Sequence, residues 1–150
     1  SATGTTARLA ETIAETAGAD LFEIVPVKSY SSADLNWNNK SSRSTAEMND
    51  ANARPEIAEK VENMAQYDTV YVGFPIWWYE APRIIQTFLE SYDLSGKTIV
   101  PFATSGGSGM GKTSDILRKS CPDAKVLSGK KMSAAASTGE ISDWIDSLNL

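Results

Sequence analysis

Histidine is absent from all 150 residues, and cysteine occurs once. Without histidine there is no Ser-His-Asp or Cys-His nucleophilic machinery, and almost no means of building a zinc site. A single cysteine excludes an internal disulfide, so a reducing cytoplasm is the expected compartment. Cys121 precedes Pro122 in a polar turn with no imidazole to activate it, and reads as a bystander thiol. No run of about 18 apolar residues occurs, so no segment is expected to span a membrane. No secretory signal pattern is visible. Positive charge is in deficit: 14 Lys and Arg against 19 Asp and Glu leave a formal net charge of −5. Such a surface repels nucleic-acid phosphates and suits a basic protein partner or none. No carboxylate pair is placed for general acid–base work. Redox chemistry, if present, needs a cofactor, because these side chains carry electrons poorly.

What is present is the pattern of an ordinary folded domain, with 41% hydrophobic and 22% charged residues. The length fits one domain over residues 1–150. Leu9 and Ile13 with Ala10, Ala14 and Ala17 predict a helix over Thr5–Ala17, stopped by Gly18. Leu21–Val25 reads as a short strand ending at Pro26. Residues 28–54 form a long polar excursion with room for a short helix. Helices are predicted over Pro55–Met64, Ala81–Tyr92, Thr113–Ser120 and Glu140–Leu148. Strands are predicted over Thr69–Phe74, Thr98–Ala103 and from Val126 toward Met132. Strand alternating with helix predicts a parallel sheet covered on both faces. Such domains open on a strand, so the pattern predicts an apolar strand ahead of Ser1.

In open α/β sheets, ligands bind beyond the carboxyl ends of the strands, and three segments fall there. Ser1-Ala-Thr-Gly-Thr-Thr6 enters a helix whose first amides and dipole attract anions. Its hydroxyls add donors, and Gly4 admits close backbone approach. The segment reads equally as a phosphate cradle or as an N-cap. Pro75-Ile-Trp-Trp-Tyr79 follows a strand, where successive side chains point in different directions, so the segment reads as an exposed ring offering a stacking face or else as a packed corner. Glu80 lies beside it. Thr104-Ser-Gly-Gly-Ser-Gly109 reads as a loop that wraps a flat ligand edge and donates to its carbonyls, or else as a solvated loop. A competing motif overlaps this loop: Gly106–Thr113 matches the nucleotide-binding pattern G-x-x-x-x-G-K-T between a strand and a helix. No strand ending in a magnesium-binding Asp follows it, and that reading leaves the first loop and the tryptophans unexplained.

Taken in order, S-A-T-G-T-T before a helix, F-P-I-W-W after one strand and A-T-S-G-G-S-G after the next resemble the flavodoxin family, and within it the short stand-alone bacterial proteins. The resemblance spans essentially the whole chain. It implies a three-layer α/β sandwich whose five-stranded parallel sheet runs 2-1-3-4-5 with FMN at its carboxyl edge. It implies that Ser1, Thr3, Gly4, Thr5 and Thr6 hold the phosphate. Pro75, Ile76, Trp77, Trp78 and Tyr79 would line the isoalloxazine, with Trp77 or Trp78 stacking. Thr104, Ser105, Gly106, Gly107 and Gly109 would cover its other side and pyrimidine edge. The implied activity is low-potential, one-electron transfer to redox partner proteins, by a monomer or weak dimer. The alternative on the same fold is an NAD(P)H-dependent quinone or flavin reductase, with residues 28–54 shaping its substrate pocket. The family's first strand is the one expected ahead of Ser1.

Overall fold

The sheet is organised around its most apolar segment, Thr-Ile-Val-Pro-Phe-Ala-Thr. In the computed structural model, which describes residues 1–105, 107 and 109–150, this segment is strand β2 (Thr98–Thr104), buried from Ile99 to Thr104. Strand β1 (Thr69–Pro75) pairs with it in parallel, in register from Thr69 opposite Thr98 to Pro75 opposite Thr104. On its other side β2 pairs in parallel with two short strands, β3 (Lys125–Val126) at Thr98–Ile99 and β4 (Lys130–Lys131) at Phe102–Ala103. The single strand expected from Val126 toward Met132 is thus split, and the physical reason faces it. Pro101 has no N–H to donate, so the ladder is interrupted where it passes that residue.

Alternation along β1 and β2 sends side chains to two faces, and each face is covered. Val100 and Phe102 pack with Leu9 and Ile13 of α1 (Thr5–Ala17) and with Ile141 and Trp144 of α5 (Thr138–Ser147). Val72, Phe74, Ile99 and Ala103 pack with Ile84, Ile85, Phe88 and Leu89 of α3 (Arg83–Glu90) and with Leu117 of α4 (Thr113–Ser120). The result is the expected helix–sheet–helix sandwich. Its β1-β2-β3/β4 run matches the 3-4-5 portion of the expected strand order.

Helix α1 and helix α4 have the predicted bounds, and α3 and α5 fall within about two residues of theirs. The excursion carries α2 (Arg43–Asn49), N-capped by the Ser42 side chain. Two further expectations fail. Leu21–Val25 is not a strand; its backbone contacts run to residues 56–58 through a lone Pro26–Ile57 bridge and two hydrogen bonds. Leu21, Phe22 and Val25 stay exposed. β propensity expresses itself through neighbours in a ladder, and among the described residues this segment has no sheet strand beside it. Pro55–Met64 is not helical either; only a 3₁₀ turn forms, over Met64–Gln66. Tertiary contacts override its helical pattern: Ile57 is held in the bridge to Pro26, and the Val61 amide donates to the Tyr92 hydroxyl at 2.8 Å.

Among the described glycines Gly73 is the most tightly covered: an added Cβ would lie 2.2 Å from the Phe102 ring. Gly73→Ala is expected to lower stability by about 1–3 kcal/mol through overpacking. Chemical denaturation checks this, and Phe102→Leu should recover part of the loss in the Gly73→Ala background.

Candidate functional site

Because β1 and β2 end level, the chain leaves the sheet at one edge from Pro75 and Thr104 together. Thr104 then joins three segments. Its buried hydroxyl shares a 2.8 Å hydrogen bond with that of Thr6, in the first turn of α1. Its carbonyl accepts from the Ile76 amide at 3.0 Å. The Ser1–Thr6 loop, the Pro75–Tyr79 loop and the loop that starts at Thr104 are therefore tied at one residue.

The first loop turns into α1 through Gly4, whose φ of 84° is left-handed and whose Cβ position faces open space. Ser1, Thr3, Gly4 and Thr5 are exposed, and the Thr3 and Thr5 hydroxyls lie 3.3 Å apart. The N-cap, Gly4, has no side chain to cap the helix, and no acidic residue lies in its first turn. The amides of a first helical turn have no intrahelical acceptor, so this end is a set of neutral donors facing outward. Thr6 differs from its neighbours: its hydroxyl is already engaged by Thr104.

In the second loop, Trp77 and Glu80 exchange backbone hydrogen bonds of 2.8 and 3.0 Å across a two-residue turn. Trp78 and Tyr79 occupy it with φ of 46° and 66°. Positive φ at both positions is the geometry that Asn and Gly fill at little cost; for large aromatic residues it is strained by about 1–2 kcal/mol each. The conformation leaves Trp78 40% and Tyr79 66% exposed. Strain of this kind is retained where the surroundings over-determine it. Here Thr113 Oγ1 donates to the Tyr79 carbonyl at 3.2 Å. On the other flank the Tyr30 ring meets the Trp77 ring edge-on at 5.5 Å.

The third loop is described only in part, since Gly106 lies outside the described residues. Gly107 and Gly109 are exposed, and the Gly107 amide donates to Ser105 Oγ at 3.2 Å. The nucleotide-motif reading of this stretch loses support at its far end. The Thr113 hydroxyl, which that motif needs at a metal ion, is buried and engaged on Tyr79.

Several residues around the site carried no signal in the sequence reading. Tyr30 donates to Glu47 Oε1 at 2.5 Å, and the Arg43 guanidinium stands 3.8 Å above its ring while its Nε bonds Glu47 Oε2 at 2.9 Å. Burial, reinforced by the hydrogen bond to Glu47, pushes the Tyr30 phenol far above its ordinary range, so it stays protonated. Glu80, flagged for its position, is committed to Arg83 at 3.2 Å. Only the four-residue spacing of Arg43 and Glu47 was available in advance as a hint.

A family model described as flavodoxin matches residues 1–148. Among solved structures, a candidate flavoprotein of Bacteroides eggerthii superposes with a TM-score of 0.95 at 50% identity, covering 100% of this chain and 94% of its own. A candidate flavoprotein of Bacteroides uniformis gives 0.92 at 46% identity, with 97% and 93% covered. A flavoprotein of Lactobacillus acidophilus, solved in complex with FMN, gives 0.70 at 20% identity, with 97% and 93% covered. At that last identity the likeness is one of fold. No curated protein matches the chain.

Two outcomes follow from this geometry. Replacing Trp78-Tyr79 by Asn-Gly should raise stability by about 1–3 kcal/mol, the positive-φ strain relieved at two residues less the greater unfolded-state freedom of Gly, measured as a higher thermal midpoint. Thr104→Val and Thr6→Val should each cost about 1–3 kcal/mol by stranding a buried hydroxyl. The double variant should cost clearly less than their sum.

Proposed function

This chain belongs to the flavodoxin family, and from that membership we propose that it binds FMN at the three-loop edge and serves as an electron-transfer flavoprotein. The observation that carries the reading is the junction at Thr104, which draws a set of neutral donors, a strained aromatic turn and a glycine loop to one sheet edge. The donor set fits the cofactor. A phosphate dianion suits outward-facing amides and hydroxyls with no carboxylate in the first helical turn. A flat tricyclic ring suits exposed aromatic faces opposite a backbone free of bulky side chains. That fold neighbours are flavoproteins, one of them in complex with FMN, supports the same reading.

Bound FMN would supply reversible electron transfer. The chain's own residues would hold and tune it. Ser1, Thr3, Gly4 and Thr5 would grip the phosphate through amides and hydroxyls, with Thr6 contributing its backbone while its hydroxyl fixes Thr104. Pro75, Ile76, Trp77, Trp78 and Tyr79 would form one wall of the ring site. Thr104, Ser105, Gly106, Gly107 and Gly109 would form the other wall. Exposed Trp78 and Tyr79 would bring the ring close to solvent, within reach of a partner protein. The aromatic wall and net charge of −5 would both oppose added negative charge on the ring, favouring low potential. The reductase alternative rests on one observation, that the excursion reaches the aromatic turn through Tyr30 and could wall a substrate pocket.

Titration of the protein with FMN should quench flavin fluorescence at a 1:1 end point. Riboflavin, which lacks the phosphate, should bind at least about 100-fold more weakly, because it forgoes several charge-assisted hydrogen bonds. Equal affinities would contradict the phosphate cradle, and absence of binding would contradict the cofactor. In the loaded protein, redox titration should resolve two separated one-electron steps. A single two-electron step together with steady NAD(P)H oxidation in the presence of a quinone would favour the reductase.

A further inference from the structure

The aromatic turn is held in an unfavourable conformation, and part of what holds it comes from a helix too short to stand alone. Helix α2 has seven residues, well below the length at which an isolated helix is stable in water. It is fastened to the turn at both ends.

One fastening runs through side chains. Glu47 accepts from the Tyr30 hydroxyl on one oxygen and from Arg43 Nε on the other. Arg43 also lies over the Tyr30 ring and donates from Nη1 to the Lys28 carbonyl at 2.7 Å. The phenol is thereby fixed at its hydroxyl and over its ring, and its ring meets Trp77. The other fastening runs through backbone. Arg83, 4% exposed, donates to the Glu47, Met48 and Asp50 carbonyls at 3.2, 2.8 and 3.2 Å, at the carboxyl end of α2. The same guanidinium bonds the carboxylate of Glu80, the last residue of the aromatic turn, at 3.2 Å. A cation at a helix carboxyl terminus is favourably placed against the dipole, and truncating a buried charged hub strands several partners. Both ends of the turn, Trp77 and Glu80, are thus attached to α2.

We propose that α2 is a brace for the aromatic turn, and that Tyr30 is a positioning residue that sets the Trp77 ring for the ligand. Tyr30 acts through Trp77 rather than on the reacting atoms. The brace keeps Trp78 and Tyr79 at positive φ; without it the turn relaxes toward conformations that no longer offer the same faces. Pre-organisation of this kind appears in affinity, because less ordering remains to be done on binding. The proposal rests on the FMN reading for its ligand but not for its structural content, and the test separates the two.

Tyr30→Phe keeps the ring against Trp77 and loses the hydroxyl contact to Glu47; Tyr30→Leu loses both. Amide hydrogen exchange in the FMN-free protein is read at Trp77 and Glu80, whose N–H groups close the turn. Exchange there is expected to accelerate about tenfold or more in Tyr30→Leu and less in Tyr30→Phe, while amides of β2 are unchanged. FMN affinity is expected to fall in the same order, by about tenfold for Tyr30→Leu, with a changed near-ultraviolet circular dichroism band from Trp77. Unchanged exchange at Trp77 and Glu80 in Tyr30→Leu overturns the brace, whether or not FMN binds. Accelerated exchange with unchanged FMN affinity overturns the positioning role. If the parent protein takes up no FMN, the cofactor reading fails, and the exchange data alone decide the brace.

Discussion

One threonine at the end of the central strand holds the three-loop edge together. Thr104 is buried at the end of β2, the strand flanked by β1 on one side and by β3 and β4 on the other. A buried hydroxyl must find a partner, and the partner is Thr6, in the first turn of α1. The carbonyl of the same residue takes the Ile76 amide. Two ordinary hydrogen bonds therefore convert three loops distant in sequence into one surface. Everything the site can do follows from that convergence: anion donors from a helix start, aromatic faces from a turn, and glycine backbone from a loop.

Strain is concentrated in the aromatic turn of the same edge. Trp78 and Tyr79 adopt a backbone geometry that other residues would fill more comfortably. Their environment keeps them there through Thr113 on one flank and through Tyr30, Glu80 and Arg83 on the other. The excursion over residues 28–54, an unremarkable polar stretch in the sequence, supplies much of this restraint. A protein that needed only a stable turn at this position would gain by giving up the aromatics. Keeping them at a cost fits the proposal that this surface meets a flat ligand.

Much of the fold was legible because two periodicities are strong where the core is thick. Leu9 and Ile13, the apolar run of β2, and the stripe from Ile84 to Leu89 each state their element plainly. The three loops were legible because residue type and place in the alternation pointed to the same edge. What failed were segments whose fate is decided by neighbours. Leu21–Val25 has strand composition, yet no ladder beside it among the described residues. Pro55–Met64 has helical spacing, yet Ile57 and Val61 are claimed by Pro26 and Tyr92. The Tyr30–Arg43–Glu47 cluster and the Arg83 hub were invisible for the same reason. Their meaning lies in contacts between segments more than 30 residues apart in the case of Arg83 and Met48, and no local pattern records such contacts.

The most direct test of the account is an amide chemical-shift titration of the isotopically labelled protein with FMN. The account predicts one saturable 1:1 event in which Gly4–Thr6, Trp77–Glu80 and Ser105–Gly107 shift together, with Thr104 among them. Shifts confined to one of those segments, or centred on the opposite end of the sheet near Tyr67 and Lys97, would contradict it.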